Sequence, residues 1–192
     1  MANKIKYGLK NVYYAVATIA ANGSATYDTP VAVPGAVSLS LDPQGDNSPF
    51  YPDNIAYYVS IANSGYEGDL EMALFPDAFR KDVFGEIEDT KGVLIEDANA
   101  SPVHFALLFQ FEGDVTATKH VLYNCTAQRN TVGSTTKSDT VEPQTESATI
   151  TATSIYVAAL DKDIVKASTG ESVDSTTYSG WNTAVYVPTA VG

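Results

Sequence analysis

Residues Val103–Glu112, VHFALLFQFE, carry apolar side chains on both faces of an extended chain. Val103, Phe105, Leu107, Phe109 and Phe111 fall on one side, and Ala106 and Leu108 on the other. Such a strand has to lie centrally in a sheet, under a second layer on each face. Its partner is expected at His120–Arg129, HVLYNCTAQR, which alternates after the Gly113-Asp114 turn.

Further strands are legible by the same rule. Val12–Ile19 is β-branched and aromatic, and Asn22-Gly23 closes it with a turn signal. Ala36–Leu41 sets Val37, Leu39 and Leu41 against Ser38 and Ser40. Ile55–Ala62 and Ser147–Ala159 also read as strands, and Ile87–Ile95 as two short ones around Lys91-Gly92. Pro30 and Pro34 make Tyr27–Pro34 an edge or a connector.

The stretch Gly65–Gly85, GYEGDLEMALFPDAFRKDVFG, changes period in its middle. Tyr66, Leu70, Met72 and Leu74 share one face with Gly68 between them, while Glu67, Asp69 and Glu71 share the other. From Pro76, suited to a first helical position, the spacing turns helical. Phe79 and Val83 lie four apart on one face, and Gly85 is a stop. The expected element is a short helix over about residues 76–85 that caps one end of a sheet through Phe79 and Val83.

Asp42–Asn54, DPQGDNSPFYPDN, is the longest irregular segment of the first half. Phe50 and Tyr51 sit among its turn residues, and aromatics so placed point to a docking surface or fold back on their own domain. Asp42, Asp46 and Asp53 do not have the alternate spacing of a calcium loop, so no metal is expected. Thr131–Glu146 reads as an exposed hairpin or loop. Asp174–Val187, with Trp181, Tyr178 and Tyr186, reads as a segment that docks onto something.

The chain has 192 residues with 23 acidic against 11 basic, a net charge of −12. An acid excess of that size repels polyphosphate and argues against a protein that grips nucleic acid or an anionic membrane. It does not exclude one that DNA slides past. Cys125 is the single cysteine, which removes intramolecular disulfides and cysteine metal clusters. A basic start followed by an apolar run is absent, as is any apolar stretch of membrane-spanning length, so synthesis in a reducing cytoplasm is expected.

Catalytic patterns are absent too. His104, inside the most apolar run, reads as a buried structural histidine, and Cys125 as a buried inert thiol. There is no phosphate loop, nucleophile elbow or histidine pair at metal spacing. The residues alone therefore describe a mostly-β, non-enzymatic, acidic domain without cofactor that associates with other protein.

Five blocks in collinear order go further. YGLKNVYYAVA (Tyr7–Ala17), VSLSLDPQGDNSPFYPDNIAYY (Val37–Tyr58), GYEGDLEMALFPDAFRKDVFGE (Gly65–Glu86), FALLFQFEGD (Phe105–Asp114) and HVLYNCTAQR (His120–Arg129) together resemble the major tail protein of siphophages and prophages of Gram-positive bacteria. The resemblance covers residues 5–160. It implies a β-sandwich with a flanking helix, in a tail-tube subunit that forms hexameric rings stacked around a channel for DNA. It further implies a virion tail component made in the host cytoplasm, which meets tape measure, tail terminator and distal tail proteins. Some members add an immunoglobulin-like C-terminal domain; a single tail-tube domain is expected over residues 1–192. Its expected parts are a basic arm to about residue 10, a stacking loop at about 42–54 and an unassigned segment at about 161–192.

On that footing Asp42, Asp46, Phe50, Tyr51 and Asp53 belong to the stacking loop, and Glu67, Asp69 and Glu71 are candidates to line the lumen. Strands near Gly65–Phe75 and Val103–Glu112 are expected to continue a sheet between subunits. The alternative is a monomeric β-sandwich that binds carbohydrate through Tyr51, Tyr57, Tyr58 and Trp181.

Overall fold

A computed structural model of the chain describes residues 3–45, 47–50, 58–136 and 143–189, with backbone alone for 47–50 and 58–61. The elements follow in order as β1 (Lys6–Ile19), β2 (Ala25–Tyr27), β3 (Val31–Ala32), β4 (Ala36–Gln44), β5 (Asn47–Phe50), β6 (Tyr58–Ile61) and β7 (Gly65–Met72). Then come α1 (Asp77–Asp82), β8 (Ile87–Glu88), β9 (Leu94–Ile95), β10 (Phe105–Gly113), β11 (Thr118–Ala127) and β12 (Glu146–Thr153). The last are β13 (Ile155–Val157), β14 (Lys162–Ile164), β15 (Lys166–Ser168) and α2 (Ser175–Gly180).

The fold is mostly β and antiparallel. The main sheet has nine strands ordered β2-β1-β10-β11-β12-β7-β4, with β3 added beside β1 and β15 beside β11. It curls over so that the β4–β7–β12 half faces the β1–β10 half across a shared core. Strand β10 lies between β1 and β11, as its two apolar faces demand. Phe105, Leu107 and Phe109 enter the larger core with Leu70, Met72 and Ile150. Ala106 and Leu108 enter a smaller core on the back of the sheet, under Ile155, Val157 and Trp181.

Two features of β7 explain its composition. Gly68 sits between Leu41 of β4 and Ile150 of β12, where a Cβ would run into the Ser40 carbonyl, so only glycine fits. Leu74 leaves the expected apolar face: β7 ends at Met72, the chain turns, and Leu74 is 66% exposed while Phe75 is buried. Neither β7 nor β10 is an edge strand. This corrects the expectation that they carry the sheet between subunits, because β7 is flanked by β4 and β12 and β10 by β1 and β11.

Helix α1 is shorter than its sequence pattern, since Pro76 is the extended residue before the first turn and Val83 already closes the last. Phe79 and Val83 are both buried. The Phe79 ring meets Phe75, Tyr14, Phe84 and Phe105 at centroid distances of 5.1–6.0 Å. The Tyr14 hydroxyl donates to Asp82 at 2.6 Å and ties α1 to β1.

Other differences are local. Strand β1 starts at Lys6, inside the stretch assigned to a basic arm, because Lys6–Lys10 pair with β10 through Gly113–Gln110. A second helix, α2, appears where none was expected, with the Asp174 side chain accepting from the Thr176 and Thr177 amides. The aromatics after Asp174 dock on their own sheet. Trp181 is buried, stacks on Tyr186 at 5.2 Å, and its Nε1 donates to the His120 carbonyl at 3.4 Å.

Replacing Phe79 with alanine leaves a cavity under four rings, and about 3–5 kcal/mol of stability should be lost. The loss is read as a fall in denaturant midpoint with the slope unchanged.

Candidate functional site

A uniformly polar, acidic face lies on the back of β4, β7 and β12. Alternation sends Leu70 and Met72 into the core, so Glu67, Asp69 and Glu71 emerge together on the opposite face. Register then sets their neighbours. Ser38, Glu71 and Ser147 form one cross-strand row, Ser40, Asp69 and Thr149 the next, and Asp42, Glu67 and Thr151 the third. The face continues onto β11, where Thr126 pairs with Thr151. No lysine or arginine falls in these rows.

The hydroxyls serve the carboxylates. Ser38 donates to Glu71 at 2.7 Å and Thr145 to the other Glu71 oxygen at 2.6 Å. Thr149 donates to Asp69 at 2.8 Å. Bonds from Thr145 first and Ser38 second hold the Glu71 carboxyl below its ordinary range. Glu67 instead faces Asp42 directly, and like charges opposite one another weaken a ladder. The arrangement keeps negative charge at the surface rather than neutralising it.

A bulge limits this face. From the Phe105–Cys125 pair to the Leu107–Leu122 pair, β10 advances two residues and β11 three. The extra residue reverses which β11 side chains point back. Val121 and Tyr123 point into the smaller core under the C-terminal segment, whereas Cys125 and Ala127 turn into the larger one. Beyond the bulge Thr126 is left on the polar face.

The segment at 42–54 is only partly irregular. Asp42–Gln44 remain in β4, and Asn47–Phe50 pair as β5 with β6 (Tyr58–Ile61), while the start of the expected strand at Ile55 lies outside the described residues. Asp42 stands on the acidic face, Phe50 ends β5, and Asp46, Tyr51 and Asp53 lie outside the described residues. Tyr57 also lies outside them.

The residues with reactive potential are placed as packing groups. His104 is exposed, not buried, because β10 begins one residue later; its Nδ1 sits 2.7 Å from Asn124 Oδ1. The more enclosed imidazole is that of His120, half-buried and stacked on Phe109 at 5.1 Å. Burial, with Lys166 and Lys6 adding to it, pulls its pKa down to about 4. Cys125 is fully buried, and that burial pushes its thiol up, which leaves it inert. Trp181 is covered by its own chain, which removes it from the carbohydrate-platform reading. Among the described residues no helix is long and apolar enough to cross a membrane.

The hydroxyl neighbours are what sequence reasoning missed. Their signal was present as Ser alternating in AVSLSL and Thr in SATITAT, but the pairing of β12 with β7 spans about 80 residues of chain.

A protein-family model described as phage tail tube protein matches residues 2–186 of the chain. No curated protein and no solved structure matches it.

Ser38→Ala combined with Thr145→Ala removes both donors to Glu71. Its carboxyl should then titrate higher, toward the ordinary 4.5, as followed by the side-chain carbonyl shift against pH. An unmoved titration would show that the hydroxyls do not set its charge.

Proposed function

The chain belongs to the phage tail tube protein family, a structural component of the virion tail, and we propose that it is the repeating subunit of a tube of stacked hexameric rings through which DNA passes into the host. The observation that carries this reading is the acidic and hydroxyl face of β4, β7 and β12, with no cation in its rows. DNA has to move along such a wall quickly. Every phosphate that a basic residue neutralises releases counterions and adds affinity, and a ring repeats each such contact in every subunit. Glu67, Asp69 and Glu71, with Asp42 beside them, line the lumen in this reading.

The sheet also supplies a way to close a ring. Strand β4 pairs with β7 on one side and ends the sheet on the other, which leaves an open edge among the described residues. Pairing that edge with a neighbour removes an aggregation-prone border and continues the acidic face from subunit to subunit. The hairpin of β5 and β6, with Asp46, Phe50, Tyr51 and Asp53, is the stacking element. Tape measure, tail terminator and distal tail proteins complete the assembly.

Electron microscopy of the concentrated protein should show rings or tubes; a strict monomer at all concentrations would count against the reading. Hydrogen exchange should show the β4 amides that face away from β7 protected in tubes and labile in monomers. Equal protection in the two states would remove β4 as the joint. Glu67→Lys, Asp69→Lys and Glu71→Lys together should leave assembly intact and slow DNA ejection in a salt-dependent way. Unchanged ejection at low salt would place these carboxylates outside the lumen.

A further inference from the structure

At the end of the fold away from α1, the curled sheet leaves a cleft of about 340 Å³ between its two halves. Leu39, Leu41, Phe109, Phe111 and Leu122 form its apolar walls, with His120 against Phe109. Two cations stand over its aromatic groups: Lys6 Nζ is 5.3 Å from the Phe111 ring centre and Lys166 Nζ is 4.4 Å from that of Tyr66. No carboxylate lines it.

Acids outnumber bases by 23 to 11, and Lys10, Arg80, Lys81 and Arg129 each hold a carboxylate. Lys6 and Lys166 hold none among the described residues. An apolar cleft with two unpaired ammonium groups suits an occupant that brings aromatic rings and carboxylates together.

One segment of the chain has that composition. There is no lysine or arginine between Lys10 and Arg80, and within that span residues 45–57, GDNSPFYPDNIAY, combine Asp46 and Asp53 with Phe50, Tyr51 and Tyr57. Pro49 and Pro52 restrict its backbone, which lowers the ordering cost of docking. The segment is carried at the β5–β6 hairpin, which extends from β4 and β7 beyond their paired ends, Gln44 and Gly65.

We propose that this cleft receives segment 45–57 of a second copy of the chain, with an aromatic side chain between the walls and an aspartate between Lys6 and Lys166. The proposal rests on the tube-subunit reading for its source of second copies. Its volume lies at the small end of ligand sites, which fits one or two side chains rather than a whole cofactor.

The test uses the full chain with Leu41→Cys in the cleft and Asn54→Cys in the segment, which leaves Lys6, Lys166, Asp46 and Asp53 in place. The native Cys125 is buried and unreactive, so it gives no background. Oxidation of assembled protein should give a ladder of disulfide-linked multimers, and dilute monomer should give none. A fast-migrating, internally linked monomer would mean that the hairpin covers its own cleft, and tubes that form without any link would mean that the cleft is not the receptor. Both results overturn the proposal. A synthetic peptide of residues 45–57 provides a readout independent of assembly. It should bind the monomer, and binding should weaken about tenfold or more in Lys6→Ala with Lys166→Ala. Peptide binding without any tubes would uphold the cleft and sink the tube reading. Tubes with no peptide binding and no cross-link would do the reverse.

Discussion

The structure depends on a strand that cannot face water on either side. Phe105–Phe109 is buried on both faces of β10, so the fold must supply two covers. One comes from the sheet itself, which curls until β7 and β12 meet β10 across the larger core, with α1 closing that core at one end. The other comes from β13 and the segment through Trp181, which closes the back. The second cover is narrow. It extends over β1, β10 and the first half of β11, and the bulge before Cys125 ends it. What remains of the back, across β12, β7 and β4, is free to be polar.

That polar remainder is not what stability alone would select. A ladder gains from opposite charges or β-branched pairs across its rows, yet here Asp42 faces Glu67, with Asp69 and Glu71 following on the same strand. The cost is a few tenths of a kcal/mol to about 1 kcal/mol per like-charged pair. Hydroxyls from β4, β12 and Thr145 soften it without cancelling charge. A surface built this way holds a dense, hydrated negative field over a regular sheet, and polyanions gain nothing by resting on it.

The strands were legible because period-two alternation is a local signal. It marked β4, β7, β10, β11 and β12, and the faces of β10 in particular. The order of the strands was not legible, since β7 joins β12 and β1 joins β10 across long stretches of sequence. Hence the acidic triad could be named from alternation, while its serine and threonine donors, and the edge position of β4 rather than β7, could not. Helix α2 was missed because its Ser, Thr and Gly read as loop, and only the Asp174 cap marks it. The histidines were misjudged through a boundary. Beginning β10 one residue past His104 leaves that ring exposed, and the neighbouring strand delivers His120 to the aromatic cluster instead.

The same acid excess that makes the back of β4, β7 and β12 repel polyanions also opposes bringing copies of the chain together. At −12 per subunit, repulsion between neighbours acts over about 8 Å at physiological salt and is felt wherever surfaces touch. Self-association therefore needs local exceptions to the global charge, placed away from the acidic face. The distribution of bases meets that need. None occurs from Asn11 to Phe79, the stretch that supplies β4 and β7 of that face together with the hairpin. Of those outside it, Lys6, Lys119 and Lys166 are held over aromatic rings without a carboxylate of their own, and Lys6 and Lys166 are the two at the cleft. Segregation of this kind separates two surfaces of one sheet: its back carries only acids and hydroxyls, and the open end of its core carries Lys6 and Lys166.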